Sequence, residues 1–110
     1  MRYVFVAHCH VAHVHRPYSR EDNGIDDSFE LYPRETYTLG DLMTVVAVQM
    51  KSKHGRKFMP YCIYCYSDSG VRCPAQGSIK FATVREFGEY LQHLKPNDEK
   101  CHVHVDLRRS

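Results

Sequence analysis

Over residues 2–15 the chain alternates: Tyr3, Phe5, Ala7, Cys9 and Val11 fall on one side of an extended backbone, and Val4, Val6, His8 and His10 on the other. A period of two marks a half-buried β-strand. The same period returns in "CHVHVDL", where Cys101, Val103, Val105 and Leu107 share a side. Between these strands the spacing changes. Leu39, Leu42, Met43, Val46 and Met50, and later Val84, Phe87, Leu91 and Leu94, recur at helical intervals. A chain that switches period in this way has to pack helices against a sheet.

Local signals bound the elements. Thr38 with Asp41 forms a capping box in which Asp replaces Glu or Gln, Tyr37 and Leu42 are placed as a hydrophobic staple, and Lys51 and Lys53 precede a Gly55 stop. Thr83 with Glu86 is a second box of the usual composition, and Pro96 closes that helix. "FMPYCIYCY" (58–66) reads as a strand with Pro60 at its start or on an edge, and "SDSG" (67–70) turns the chain into a partner strand from Val71. The expectation is an α+β two-layer sandwich: an antiparallel sheet with two helices on one face, in the ferredoxin-like element order β(β)αββαβ. First and last strands lie side by side, and Leu42, Met43, Val46, Phe87, Leu91 and Val103 share the core. The bracketed strand is "SFELY" (28–32), inside a connection of about 16–37 that otherwise reads as a long acidic loop.

At 110 residues the chain is expected to be a single domain, 1–110, with a core large enough to fold without staples. The formal charge of +2 is too small to drive binding to nucleic acid or anionic lipid by itself. No apolar run is long enough to span a bilayer, so no membrane partner is expected. The start lacks the basic segment and cleavage site of a signal peptide, and five cysteines are an odd number. Reduced thiols and a cytoplasmic location follow as the expectation.

The chemistry concentrates in histidine. "HCHVAHVH" (8–15) holds four, and "HVH" (102–104) two more. On a strand His8 and His10 project together, as do His102 and His104, so paired terminal strands would gather four imidazoles on one face. Imidazole suits Zn²⁺ and other borderline cations, which makes these four the candidate metal ligands and zinc the candidate cofactor. The plainer reading, polar outer-face residues beside a buried Val/Cys face, carries more weight, because a metal site also needs groups behind its ligands that the sequence does not reveal. His13 and His15 make a weaker case.

"CIYC" (62–65) has knuckle spacing, but an extended "PYCIYCY" sends Cys62 and Cys65 to opposite faces, and structural thiols are the better reading. Phosphate-binding and hydrolase motifs are absent and no catalytic residue is assigned, so an enzyme is the less favoured class. The basic run "KSKHGRK" (51–57) with Tyr61, Tyr64 and Tyr66 offers a weakly supported nucleic-acid surface. The acidic segment offers another: Glu21, Asp22, Asp26 and Asp27 as a partner-binding patch facing a basic protein groove. The leading expectation is therefore a small non-enzymatic binding protein that occludes or modulates a macromolecular partner, in the manner of an accessory inhibitor from a phage or mobile element. A zinc-binding protein or metal-dependent enzyme built on His8, His10, His102 and His104 is the alternative.

Overall fold

In the computed structural model, residues 3–11, 24–74 and 81–109 are described. The element order is β1 (Phe5–Val11), β2 (Ile25–Leu31), α1 (Leu39–His54), β3 (Phe58–Tyr66), β4 (Arg72–Pro74), α2 (Val84–Leu94) and β5 (Cys101–Arg109). The strands form one mixed sheet in the order β2-β1-β5-β3-β4. The architecture is α+β, with five strands and two helices.

The first and last strands are neighbours, as the alternation implied, but they run parallel rather than antiparallel, so the sheet is mixed. The cause lies in the 16–37 connection. Its second half is not loop but β2, paired antiparallel to β1 from Phe5↔Leu31 to Val11↔Ile25. Successive elements here reverse the chain's direction. One extra strand before α1 therefore inverts everything after it, and β5 arrives pointing the same way as β1. A ferredoxin-like order without that strand would have brought it back antiparallel. The ferredoxin-like strand order is accordingly not the one observed.

Both helices cover the same side of the sheet. Phe5, Ala7, Cys9, Ile63, Cys65, Val103, Val105 and Leu107 join Leu42, Met43, Val46, Met50, Phe87 and Leu91 in a single buried cluster. The six core residues expected from the sequence are all buried. The Thr38–Asp41 box forms both of its bonds, at 3.0 Å each, and Gly55 ends α1 at φ 67°, a conformation that glycine adopts without penalty. The second box forms only in part. Thr83 accepts from the Glu86 N–H, but the Glu86 carboxylate reaches back to the N–H of Ala82, one residue beyond the box position. Pro60 lies where β3 has β5 on one side and no strand on the other, since β4 pairs only with Tyr64–Tyr66. A residue without an N–H is tolerated there.

Candidate functional site: an imidazole row on the helix-free face

Because both helices lie on one side, no described element covers the opposite face of the sheet. Alternation and register decide what it displays. His8 is flanked by Ser28 and His104, and His104 in turn by Tyr64; one step along, His10 is flanked by Asp26 and Asp106, and Asp106 by Cys62. All four candidate histidines stand on this face.

Their rings are linked in pairs, diagonally across β1 and β5. His8 Nε2 lies 3.0 Å from His102 Nδ1, and His10 Nε2 lies 3.1 Å from His104 Nδ1. The latter two rings are within 7° of coplanar, with centroids 5.3 Å apart. The nitrogen separation plus the two ring half-widths accounts for that spacing, so the rings meet edge to edge through one N–H···N bond and are not stacked face on face. Behind His10, the Asp26 carboxylate accepts from Nδ1 at 2.7 Å. That bond settles the tautomer: His10 carries its proton on Nδ1, and its Nε2 lone pair points at His104.

The far side of the row is aromatic. Tyr64 lies near-parallel to His104 at 5.3 Å, and Tyr66 meets it edge-on at 4.9 Å. The Arg72 guanidinium lies over the Tyr64 ring at 3.7 Å, while the Tyr64 hydroxyl donates to Asp106 at 3.1 Å. His104 is thus half-buried within the sheet face, whereas His102 is exposed. Burial first, then the neighbouring His8 and His10, push the His104 imidazole down to about 4. His8 is lowered for the same kind of reason, burial first and then His102 and His10. At neutral pH both are uncharged, with lone pairs available. A cleft of about 380 Å³ opens beside the row, lined by His8, Tyr66, Lys95, Lys100, His102 and His104 among others.

The acidic residues are distributed differently from the sequence expectation. Asp26 and Asp27 are strand residues, not loop residues, and as consecutive positions on β2 they face opposite ways. Asp26 serves His10. Asp27 shares the helix-covered side with Cys9 and bonds His54 at 3.0 Å and Lys53 at 3.4 Å, both from the end of α1. Burial raises the Asp27 carboxyl, but the His54 bond, followed by Lys53, outweighs it and holds the group below the usual carboxylate range. Glu21, Asp22, His13 and His15 lie outside the described residues.

The basic run is likewise divided from its tyrosines. Lys53 and His54 turn to Asp27 on the helix side, whereas Tyr64 packs against Arg72 and His104 on the open face. Cys62 and Cys65 do point to opposite faces: Cys62 sits beside Asp106, and Cys65 in the core. The aromatic and arginine wall of the row, Tyr64, Tyr66 and Arg72, was not singled out as part of the histidine site. Only the β3–β5 register brings it there.

Among the described residues, no three His, Cys, Asp or Glu side chains are arranged around one ion position. The imidazoles come as pairs. Among known proteins, the chain matches no family model, no curated protein and no solved structure. The α+β class is carried by the architecture, and any function has to be argued from the site itself.

Proposed function

We propose that this is a metal-binding protein whose site is the His10–His104 pair, taking a borderline divalent ion of the Zn²⁺ type between His10 Nε2 and His104 Nδ1, with the His104 proton moving from Nδ1 to Nε2 to free that lone pair. The observation that carries the reading is the chain Asp26–His10–His104, with separations of 2.7 and 3.1 Å. Metal-ligating histidines characteristically donate their other N–H to a carboxylate, which orients the ring and raises its basicity. Asp26 supplies that support to His10. Two imidazole nitrogens each about 2.0–2.1 Å from one zinc ion lie about 2.9–3.4 Å apart, depending on the angle between them; the observed separation falls in that window, and the rings, now aimed at each other, would each turn by about 40° to aim both lone pairs at one ion. The low proton affinity of His104 removes a competitor for its lone pair near neutral pH. Two protein ligands leave coordination positions for water or for an atom of a bound molecule. The same low affinity makes His104 a poor general acid or base at neutral pH, where a group titrating near the working pH is favoured.

The test is zinc binding by the untagged protein, measured by calorimetry and by competition with a chromophoric chelator. One ion per chain is expected, with binding abolished in the H10A/H104A double variant and retained in H102A. Equal zinc affinity in the double variant and the parent would remove the proposal.

A second reading, a module that docks a protein partner and modulates it, is favoured by one observation. Met59 and Tyr61, at 57 and 45% exposure, stand together near the start of β3, Met59 as the cross-strand partner of Arg108 and Tyr61 with its ring under the Arg108 guanidinium, beside the open face. Exposed apolar groups gathered in one region are more informative than single ones. On this reading the helix-free sheet face is the contact surface, and the acidic segment steers association.

A further inference from the structure

A different pair of side chains, on the covered face of the sheet, carries an inference independent of the metal site. Cys65 on β3 and Cys73 on β4 are direct cross-strand partners, and both are free thiols. One position beyond the ladder, Ser67 N–H bonds the Val71 carbonyl at 2.9 Å. Antiparallel partners alternate between hydrogen-bonded and non-hydrogen-bonded sites, so Tyr66↔Arg72 is the second kind and Cys65↔Cys73 the first. Pro74, which has no N–H, then falls opposite Tyr64 at a site that needs none. Cα atoms in a hydrogen-bonded pair are about 5.5 Å apart, within the range a disulfide spans, and the Cβ atoms close from about 5.5 Å to about 4 Å by a shift of the short edge strand β4. Directly opposite residues also project to the same side. The Cys65 thiol already reaches β4, donating to the Cys73 carbonyl at 3.5 Å.

The geometry points to Cys65 and Cys73 as a reversible redox modification site that takes a hydroperoxide and closes to a cross-strand disulfide between β3 and β4. The two thiols are not equally placed. Cys65 is 1% exposed, whereas Cys73 is half-buried on the short edge strand and lies against the Tyr90 hydroxyl. Cys73 reacts first. Its thiol gives up a proton, the thiolate attacks a peroxide oxygen, the O–O bond breaks, and a sulfenic acid forms while the leaving oxygen takes up the proton, released as water from hydrogen peroxide or as an alcohol from an organic hydroperoxide. The Cys65 sulfur then attacks the sulfenic sulfur, its proton leaves with the hydroxide, and water is released. Two thiols are oxidised and one peroxide is reduced. Burial raises the Cys65 thiol to about 11, which disfavours it as the first to meet peroxide. Closure ties the three-residue β4 to β3 and so holds Arg72 over Tyr64, the wall of the imidazole row.

The experiment uses the whole native protein treated with hydrogen peroxide, quenched with catalase, unfolded, alkylated and digested with trypsin. Cleavage after Lys57, Arg72 and Lys80 places Cys65 and Cys73 on separate peptides, 58–72 and 73–80. Expected is a monomer in which two alkylatable thiols are lost, five falling to three in the parent and four to two in C62S, and these peptides are joined, with neither change in C65S or C73S. Dithiothreitol should restore all five. A link from Cys62 to Cys73, a link between chains, or five free thiols after treatment that oxidises a control dithiol would each overturn the assignment.

Discussion

At the residue scale, Asp26 decides what His10 can do. Removing its negative charge while keeping its shape, in D26N, leaves His10 in place but takes away the carboxylate that pins its tautomer. Loss of a carboxylate behind a metal-bound histidine typically weakens binding about 10–100-fold. D26N is therefore expected to lower zinc affinity by that order without lowering thermal stability appreciably, as calorimetry and a melting curve would show. An unchanged affinity would mean that the carboxylate is only a surface acceptor.

His104 makes a second prediction, for the metal-free protein. Its imidazole is pushed from an ordinary 6.5 down to about 4 by burial and by its histidine neighbours. The unfolded chain therefore binds more protons than the folded one between those values. Stability from this group is present above the unfolded pKa and is lost as pH falls towards the folded one. Denaturant midpoints should drop from neutral pH to about pH 5, less so in H104N. Imidazole resonances should show His104 unprotonated well below the 6.5 of a free imidazole.

At the element scale, α2 approaches β1 closely enough that one position admits no side chain. A Cβ at Gly88 would stand 2.7, 2.8 and 3.0 Å from the Tyr3 ring. Those are ring-base atoms, not a flexible tip. Gly-to-Ala in a helix interior normally gains about 1 kcal/mol. Here overpacking reverses the sign, and G88A is expected to destabilise by about 1–3 kcal/mol. In a Y3A background the same change should approach neutrality, a coupling that a double-mutant cycle by chemical denaturation would measure. Phe87, one residue earlier and fully buried against Phe5 at 5.9 Å, tests the helix face directly. F87A should cost about 3–5 kcal/mol. A loss below about 0.5 kcal/mol would be inconsistent with that burial.

At the scale of the whole molecule, the sheet separates two surfaces. The helices bury one, and the imidazole row and tyrosines occupy the other. If the second is a protein-docking surface steered by acid, neutralising Glu21, Asp22, Asp26 and Asp27 together should slow association with a verified partner and flatten its salt dependence. Since Asp27 anchors the end of α1 through His54 and Lys53, the quadruple variant should also lose some stability, and a triple variant that keeps Asp27 should not. An association rate at low salt unchanged in the triple variant would leave the acids without a steering role.

The same molecule shows how far local pattern reaches. Period and capping depend only on near neighbours in the chain, so both helices, four of the five strands and the buried face of β1 were legible from the sequence, as was the common face of each HxH pair. The facts that shape the site depend on what lies far away. β2 carries Asp26 and Asp27 within "IDDSFEL", where side chains that look like loop composition satisfy a strand because His10 waits on one side and His54 on the other. That one strand reversed the direction of β5. Register then placed His104 beside Tyr64 and against His10, across 94 residues in the second case. A pairing of that kind is chosen by burying the shared apolar face of every strand at once, a sum over the whole sheet that no local stretch contains.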